Sequence, residues 1–297
     1  MMNVSLSFCQ PSTLCTSKTQ LLPFTFTSTP ILFSFSHSRK KRRRFVSCAS
    51  SSELPLLPFP IDQVLVPSET KTLHLYEARY LALLEESLFK KKKFFVHFVL
   101  DPIAINDTSG EASFAARYGC LVAIEKVEQL EIGALVSIRG IGRVKILKFQ
   151  QAEPYLTGAV MPLLDNTPYS DTELSSKVLK IKEALHSLNS LEIKLKAPQD
   201  AALQTLTANS LRWSENTPAL DCDNGFIPPL AELVSFAALQ PVSGSSESEL
   251  LKLQKKKLRA MDIKDTLDRL EDSIGYVQDN ISLVAAKLAI QSLDSRL

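Results

Sequence analysis

The sequence predicts an α+β chain: a small antiparallel β-barrel with one helix inserted early, followed by an α-helical bundle. Three observations carry that expectation. Short runs rich in aromatic and β-branched residues recur between Phe94 and Leu164, as in a sheet that curls on itself. An apolar repeat with three- and four-residue steps, Tyr76, Tyr80, Leu83, Leu84 and Leu88, places one helix ahead of them. After Asp165 the apolar spacing becomes helical over long stretches.

The chain begins with a segment of different character. Residues 1–52 contain no Asp or Glu, eighteen Ser or Thr, and the basic run Arg39–Arg44. Beyond it, 27 basic residues face 32 acidic ones, a net charge of −5, so the overall +2 belongs to this leader. An acid-free, hydroxyl-rich, arginine-bearing start is the composition of an organellar transit peptide, expected over residues 1–48. V-S-C-A at Val46–Ala49 resembles a stromal processing site, with the cut between Cys48 and Ala49, which makes the chloroplast stroma the expected location. The competing reading of K-K-R-R-R is a nuclear-type basic patch. No stretch of eighteen uncharged apolar residues occurs, so no membrane-spanning helix is expected.

The expected elements follow in order. Leu54–Ile61 carries Pro55, Pro58 and Pro60, which suit an edge strand because proline cannot donate to a ladder. Val64–Leu75 continues extended, and a helix starts near Tyr76 and stops at Lys90–Lys93, whose cations complement its dipole. Phe94–Leu100, Gly119–Leu130, Ala134–Gln150 and Tyr155–Leu164 read as strands, and Asp101–Gly110 as a loop. The barrel thus spans about 53–168 and the helical part 169–297, with an irregular insertion about 189–225. In the helical part, Leu174, Val178, Ile181, Leu185 and Leu188 form one stripe, and Pro229–Leu239 a short apolar helix. Leu267, Leu270, Ile274, Val277, Ile281, Val284 and Leu288 form the longest stripe, with Asp262 as its expected N-cap. Three heptads favour packing against the preceding helices, with a homo-oligomeric coiled coil as the alternative.

The motif L-H-L-Y-E-A-R-Y gathers His74, Glu77, Arg79 and Tyr80 where a strand should meet a helix. His97 and His186 are expected in other elements, so no second metal ligand stands nearby in the sequence. A structural role, capping or pairing at the junction, is the stronger expectation. G-I-G at Gly140–Gly142 precedes a strand and not a helix, which removes the usual reason for phosphate binding and leaves a bulge or bend. Arg139, Arg143, Lys145 and Lys148 are then expected to point outward. Cys120 and Cys222, far apart and in no C-x-x-C pair, give neither a zinc site nor a disulfide framework.

Read together, L-P-L-L-P-F at Leu54, V-L-V-P-S-E at Val64, L-H-L-Y-E-A-R-Y at Leu73, R-Y-G-C-L-V-A-I at Arg117, I-R-G-I-G-R-V-K-I at Ile138 and P-Y-L-T-G-A-V at Pro154 resemble the Lon protease N-terminal (substrate-binding) domain family. The resemblance covers about residues 53–290 and implies a PUA-like β-barrel followed by a helical bundle. Its motif residues here are His74, Glu77, Arg79, Tyr80, Gly119, Gly140, Gly142, Pro154 and Tyr155. Ala78 stands where family members usually carry proline, implying a later or less rigid helix start. The sequence contains no G-x-x-x-x-G-K-[ST], so ATP hydrolysis and proteolysis are not carried over.

The expected function is therefore a stand-alone, non-catalytic recognition module of plastid protein quality control, without cofactor, metal or DNA. Its expected partners are polypeptide substrates and a plastid protease or chaperone. Edge-strand surface at Leu54, Leu56, Phe59 and Leu65, or the barrel–bundle cleft, would take the polypeptide. One alternative is a small-ligand or enzymatic site using His74, Glu77 and Cys120. The other is weak RNA binding through a PUA-like fold and Lys90–Lys93, although residues 53–170 carry 12 basic against 14 acidic residues.

Overall fold

The computed structural model describes residues 51–105, 112–166, 171–195 and 205–294. The leader expected over 1–48 lies outside them. Six strands form one sheet: β1 (Ser52–Phe59), β2 (Thr70–Leu75), β3 (Phe94–Ile105), β4 (Ala112–Gln129), β5 (Ala134–Gln151) and β6 (Thr157–Pro162). Among the described residues six α-helices accompany them: α1 (Ala78–Phe89), α2 (Asp171–Leu195), α3 (Leu206–Glu215), α4 (Leu230–Ala237), α5 (Glu247–Asp262) and α6 (Thr266–Asp294). The α+β class and the single early helix agree with the sequence reading.

The strand order is β2-β5-β4-β3-β1-β6, and β6 also pairs with the C-terminal half of β5, so the sheet curls back on itself. It is not wholly antiparallel, because β1 and β3 run parallel. The crossover through β2 and α1 returns the chain to the same end of the sheet, and a parallel neighbour requires such a connection.

The edge-strand expectation for β1 needs correcting. Ser52–Pro55 pairs with β6, and Leu56–Phe59 pairs with β3. The strand exchanges neighbours midway, so each half has a free side where a proline lacking its N–H breaks no ladder. Leu54 and Leu56 face a core with Phe94, Val96 and Phe98, whereas Leu57 faces a second core beneath α1. Both faces of β1 are covered, which explains its nearly continuous apolar run.

The sheet's inner core joins Leu65, Leu73, Phe95, Val136 and Ile138 to Leu83 and Leu84 of α1. A separate helical core gathers Ile181, Leu185 and Leu188 of α2 with Leu211, Val234, Leu270, Ile274, Val277 and Val284. The long α6 stripe is thus satisfied inside the chain, as the favoured reading expected. Its N-cap is Asp265, which accepts from the amides of Leu267 (2.8 Å) and Asp268 (3.3 Å). Asp262 instead ends α5, since three residues are needed to turn between the two helices.

The segment expected to be irregular between 189 and 225 holds the end of α2 and the whole of α3. Thr205 caps α3, accepting from the Ala208 amide at 3.0 Å. The polar face of α3 misled the sequence reading because its buried positions include Thr207, Ser210 and Ser214. These small hydroxyl residues are buried by packing but are not apolar in sequence. The start of α5 is fixed by a Ser246–Glu249 capping box.

Candidate functional site

The motif residues lie where strand meets helix, and they do not converge on a reaction centre. His74, at the exposed surface of β2, has Nε2 3.0 Å from the Ile132 carbonyl. Glu77 precedes α1 and forms an exposed ion pair with Arg79 at 2.7 Å. The Arg79 guanidinium lies 4.6 Å from the centre of the half-buried Tyr80 ring. Cys120 is sealed in a core with Val64, Val66 and Phe236, and burial pushes its thiol pKa far up, against nucleophilic use. His74, Glu77 and Cys120 therefore form no shared site. No group of three or more His, Cys, Asp or Glu able to hold a metal occurs among the described residues.

The glycines of G-I-G serve packing. Leu121 pairs with Gly142 and Val122 with Gly140, leaving Ile141 as a β-bulge. A Cβ on Gly140 would stand 2.3 Å from the Val66 carbonyl oxygen, and one on Gly142 2.2 Å from that of Phe226. Each glycine thus admits a second backbone against β5. Gly119 faces Val144 across the β4–β5 ladder. Pro154 lies in the β5–β6 turn, and Tyr155 packs beside the α1 core.

Two of the four cations expected to point outward are buried. Arg143 donates to Glu232 from Nε at 3.2 Å and from Nη2 at 3.0 Å, and to the Ile263 carbonyl at 2.7 Å. It also pairs with Asp165, which in turn pairs with Arg269 and accepts from Thr266 Oγ1 at 2.6 Å. Arg269 lies 4.4 Å from the Phe236 ring centre. Burial alone would raise the Asp165 pKa, but the Arg269 hydrogen bond and the charges of Arg269 and Arg143 outweigh it and hold the carboxyl below its ordinary value. For Glu232, burial wins over attraction by Arg143, and the pKa moves up. Arg139 is likewise enclosed, donating to Glu125 at 2.8 Å and to the Ser68 carbonyl at 3.0 Å. Lys145 and Lys148 are exposed, as expected.

A second set of polar contacts fastens the turn before β2 to the helices. Lys257 of α5 reaches Glu69 at 2.6 Å, and Glu69 also accepts from the Val66 amide at 3.1 Å. Ser210 of α3 donates to the Ser68 carbonyl at 2.9 Å. These ties were invisible in the sequence because their partners lie far along the chain.

The proposed edge surface is not available. Leu56 and Leu65 are wholly buried and Leu54 nearly so, while the half-buried Phe59 stacks on His97 with ring centres 4.1 Å apart. The cleft between sheet and helices is open instead. It encloses about 400 Å³ between the turn before β2 and α5, with Val64, Leu206, Pro241, Leu250 and Leu251 among its lining and Asp62, Lys71 and Glu247 at its polar positions. Leu206, Leu250 and Leu251 are each 40–53% exposed. Leu250 also lines a second groove, of about 580 Å³, between α5 and α6. Sequence reading passed over these leucines because L-L-K-L at Leu250–Leu253 looks like ordinary helix core, and only Leu253 is buried.

The sequence profile of the ATP-dependent protease La (Lon) substrate-binding domain matches residues 53–279. The chain belongs to the Lon substrate-binding domain family. Among solved structures, it is similar to the Lon N-terminal domain protein from Xanthomonas campestris, at 22% identity over 74% of this chain and 95% of that one, with a TM-score of 0.39. It is also similar to the N-terminal domain of Mycobacterium avium complex Lon protease, at 14% identity over 77% of this chain and 99% of that one, with a TM-score of 0.43. No curated protein matches the chain. The Lon substrate-binding domain is itself non-catalytic, and its motif positions in this chain shape the junctions and strand contacts described above.

Proposed function

We propose that this Lon-type domain binds polypeptide in the chloroplast stroma and acts as a recognition adaptor for a plastid protease or chaperone, without catalysis of its own. The observation that carries the reading is the sheet–bundle groove, where Leu206, Leu250 and Leu251 stay exposed beside Val64. Solvent-exposed leucines gathered in a groove, with charges around them, suit a chain segment whose apolar side chains have lost their own core. Membership of a substrate-binding family supports the same reading. The acid-free leader composition supports the plastid location.

Fluorescence anisotropy with a reduced, carboxymethylated and hence permanently unfolded protein tests the binding. Saturable binding that Leu206→Asp and Leu251→Asp weaken at least about tenfold is expected, and no binding by the unaltered protein overturns the proposal. Fusion of residues 1–55 to a fluorescent protein tests the location. Plastid import is expected, and a nuclear or diffuse signal overturns that part.

A further inference from the structure

The groove between α5 and α6 differs in chemistry from the sheet–bundle groove. Leu250, Leu253, Tyr276 and Leu283 give it an apolar lining, and Lys252, Lys255, Lys256 and Arg259 stand along one wall. Those four cations are exposed and fall at i, i+3, i+4 and i+7 on α5, so they share one helix face. Like charges at these spacings repel one another and weaken the helix. Of the four, Arg259 pairs with Asp272, and the neighbouring Lys257 and Lys287 pair with Glu69 and Glu249. Lys252, Lys255 and Lys256 pair with no acid among the described residues. They also lie mid-helix, too far from the C-terminus for its dipole to account for them.

The opposite wall carries Asp279 and Asn280, the latter beside Tyr276. An apolar trough and an unneutralised row of three lysines together call for a partner that is apolar on one side and rich in carboxylates on the other.

We propose that the α5–α6 groove docks an acidic amphipathic helix of a partner protein, leucine-type side chains entering the trough and Asp or Glu side chains meeting Lys252, Lys255 and Lys256. The stretch from Leu250 to Arg259 spans about 14 Å at 1.5 Å per residue, enough to seat roughly nine helical residues. Nucleic acid fits less well, because the trough presents no exposed aromatic ring for stacking and the chain beyond residue 52 is net acidic, so the phosphate backbone would meet only the one basic row. The proposal does not depend on unfolded chains binding at the sheet–bundle groove.

The test uses the mature full chain and two labelled peptides of about 14 residues, both with leucines at i, i+3, i+4 and i+7. One carries glutamates at its outward positions and the other lysines. The glutamate peptide is expected to bind, its affinity falling with salt, and the lysine peptide to bind at least about tenfold more weakly. Lys252→Glu/Lys255→Glu/Lys256→Glu, an exposed triple substitution whose helicity circular dichroism verifies, is expected to reverse that order. It should leave binding of the unfolded carboxymethylated protein within about twofold, because none of the three lysines lines the sheet–bundle groove. Equal binding of the two peptides, unchanged binding by the triple variant, equal affinity for single-stranded RNA, or occupation of the groove by a second copy of this chain would each overturn the proposal. Loss of unfolded-protein binding alone, with peptide selectivity intact, would overturn the function proposed above and not this one.

Discussion

Lys257 of α5 extends its ammonium to 2.6 Å from the carboxylate of Glu69, and both side chains are buried. The pair joins the turn before β2 to a helix 188 residues later. Removing one member leaves the other charge stranded, at a cost of about 3–5 kcal/mol, whereas removing both is far milder. Lys257→Met should therefore unfold at markedly lower urea, and Lys257→Met/Glu69→Gln should regain much of the loss. A double variant as unstable as the two single losses summed would contradict this coupling.

His97 is enclosed, its ring stacked on that of Phe59. Burial, with the Lys71 charge assisting, draws its pKa from 6.5 to about 3. Because the folded value lies below the unfolded one, the unfolded chain takes up the proton first. Stability is complete above pH 6.5 and declines as pH falls toward 3, by about 1.4 kcal/mol per pH unit from this group. His97→Phe keeps an aromatic ring against Phe59 and removes the titration. Urea melts at pH 7 and 4.5 should show a loss smaller by about 2–3 kcal/mol in the variant. Equal losses would show that another group governs this range.

Asp165→Asn should be costly at neutral pH, by about 3–5 kcal/mol, since Arg143 and Arg269 would then lose the carboxylate they share. The lowered pKa of Asp165 sets the sign of the pH dependence. Its contribution is present above the ordinary carboxyl value of 3.8 and lost as pH falls through the lower folded value. The unaltered and substituted proteins should therefore converge in strong acid. Stability differences that stay constant down to pH 2 would argue against the pairing.

Three glycine substitutions should separate by sign. Gly140→Ala and Gly142→Ala drive a methyl group into the backbones of Val66 and Phe226, and each should cost about 1–3 kcal/mol or more. Gly275 of α6 has nothing within 4 Å of its would-be Cβ. Gly275→Ala should stabilise the helix by about 0.5–1 kcal/mol. Thermal melts of the three proteins check the order, and a destabilised Gly275→Ala would count against it.

The local features of the fold were legible in the sequence, and its long-range ties were not. The Tyr76–Leu88 repeat announced α1, and the α6 stripe announced both a helix and its buried face, because spacing along the chain is itself the cause of those structures. The G-I-G bulge followed from glycine before a strand. Arg143 shows the limit of such reasoning. Alternation along β5 implied an outward side chain, yet Glu232, 89 residues on, arrives from the helical part to cover it. The same limit hid the candidate groove. Leu250 and Leu251 are apolar in sequence, and only the placement of α5 against the sheet leaves them open to solvent.

The buried ion pairs also carry a consequence for timing during synthesis. A chain made from its N-terminus presents Glu69, Arg143 and Asp165 long before their partners Lys257, Glu232 and Arg269 exist. The curled sheet cannot close its charged seams until nearly the whole polypeptide has left the ribosome. A nascent chain arrested near Leu195 should remain open to protease across β2 and β5, and the released full-length chain should not. For a protein proposed to receive other unfolded chains, this makes its own late closure a period in which it depends on the same kind of help.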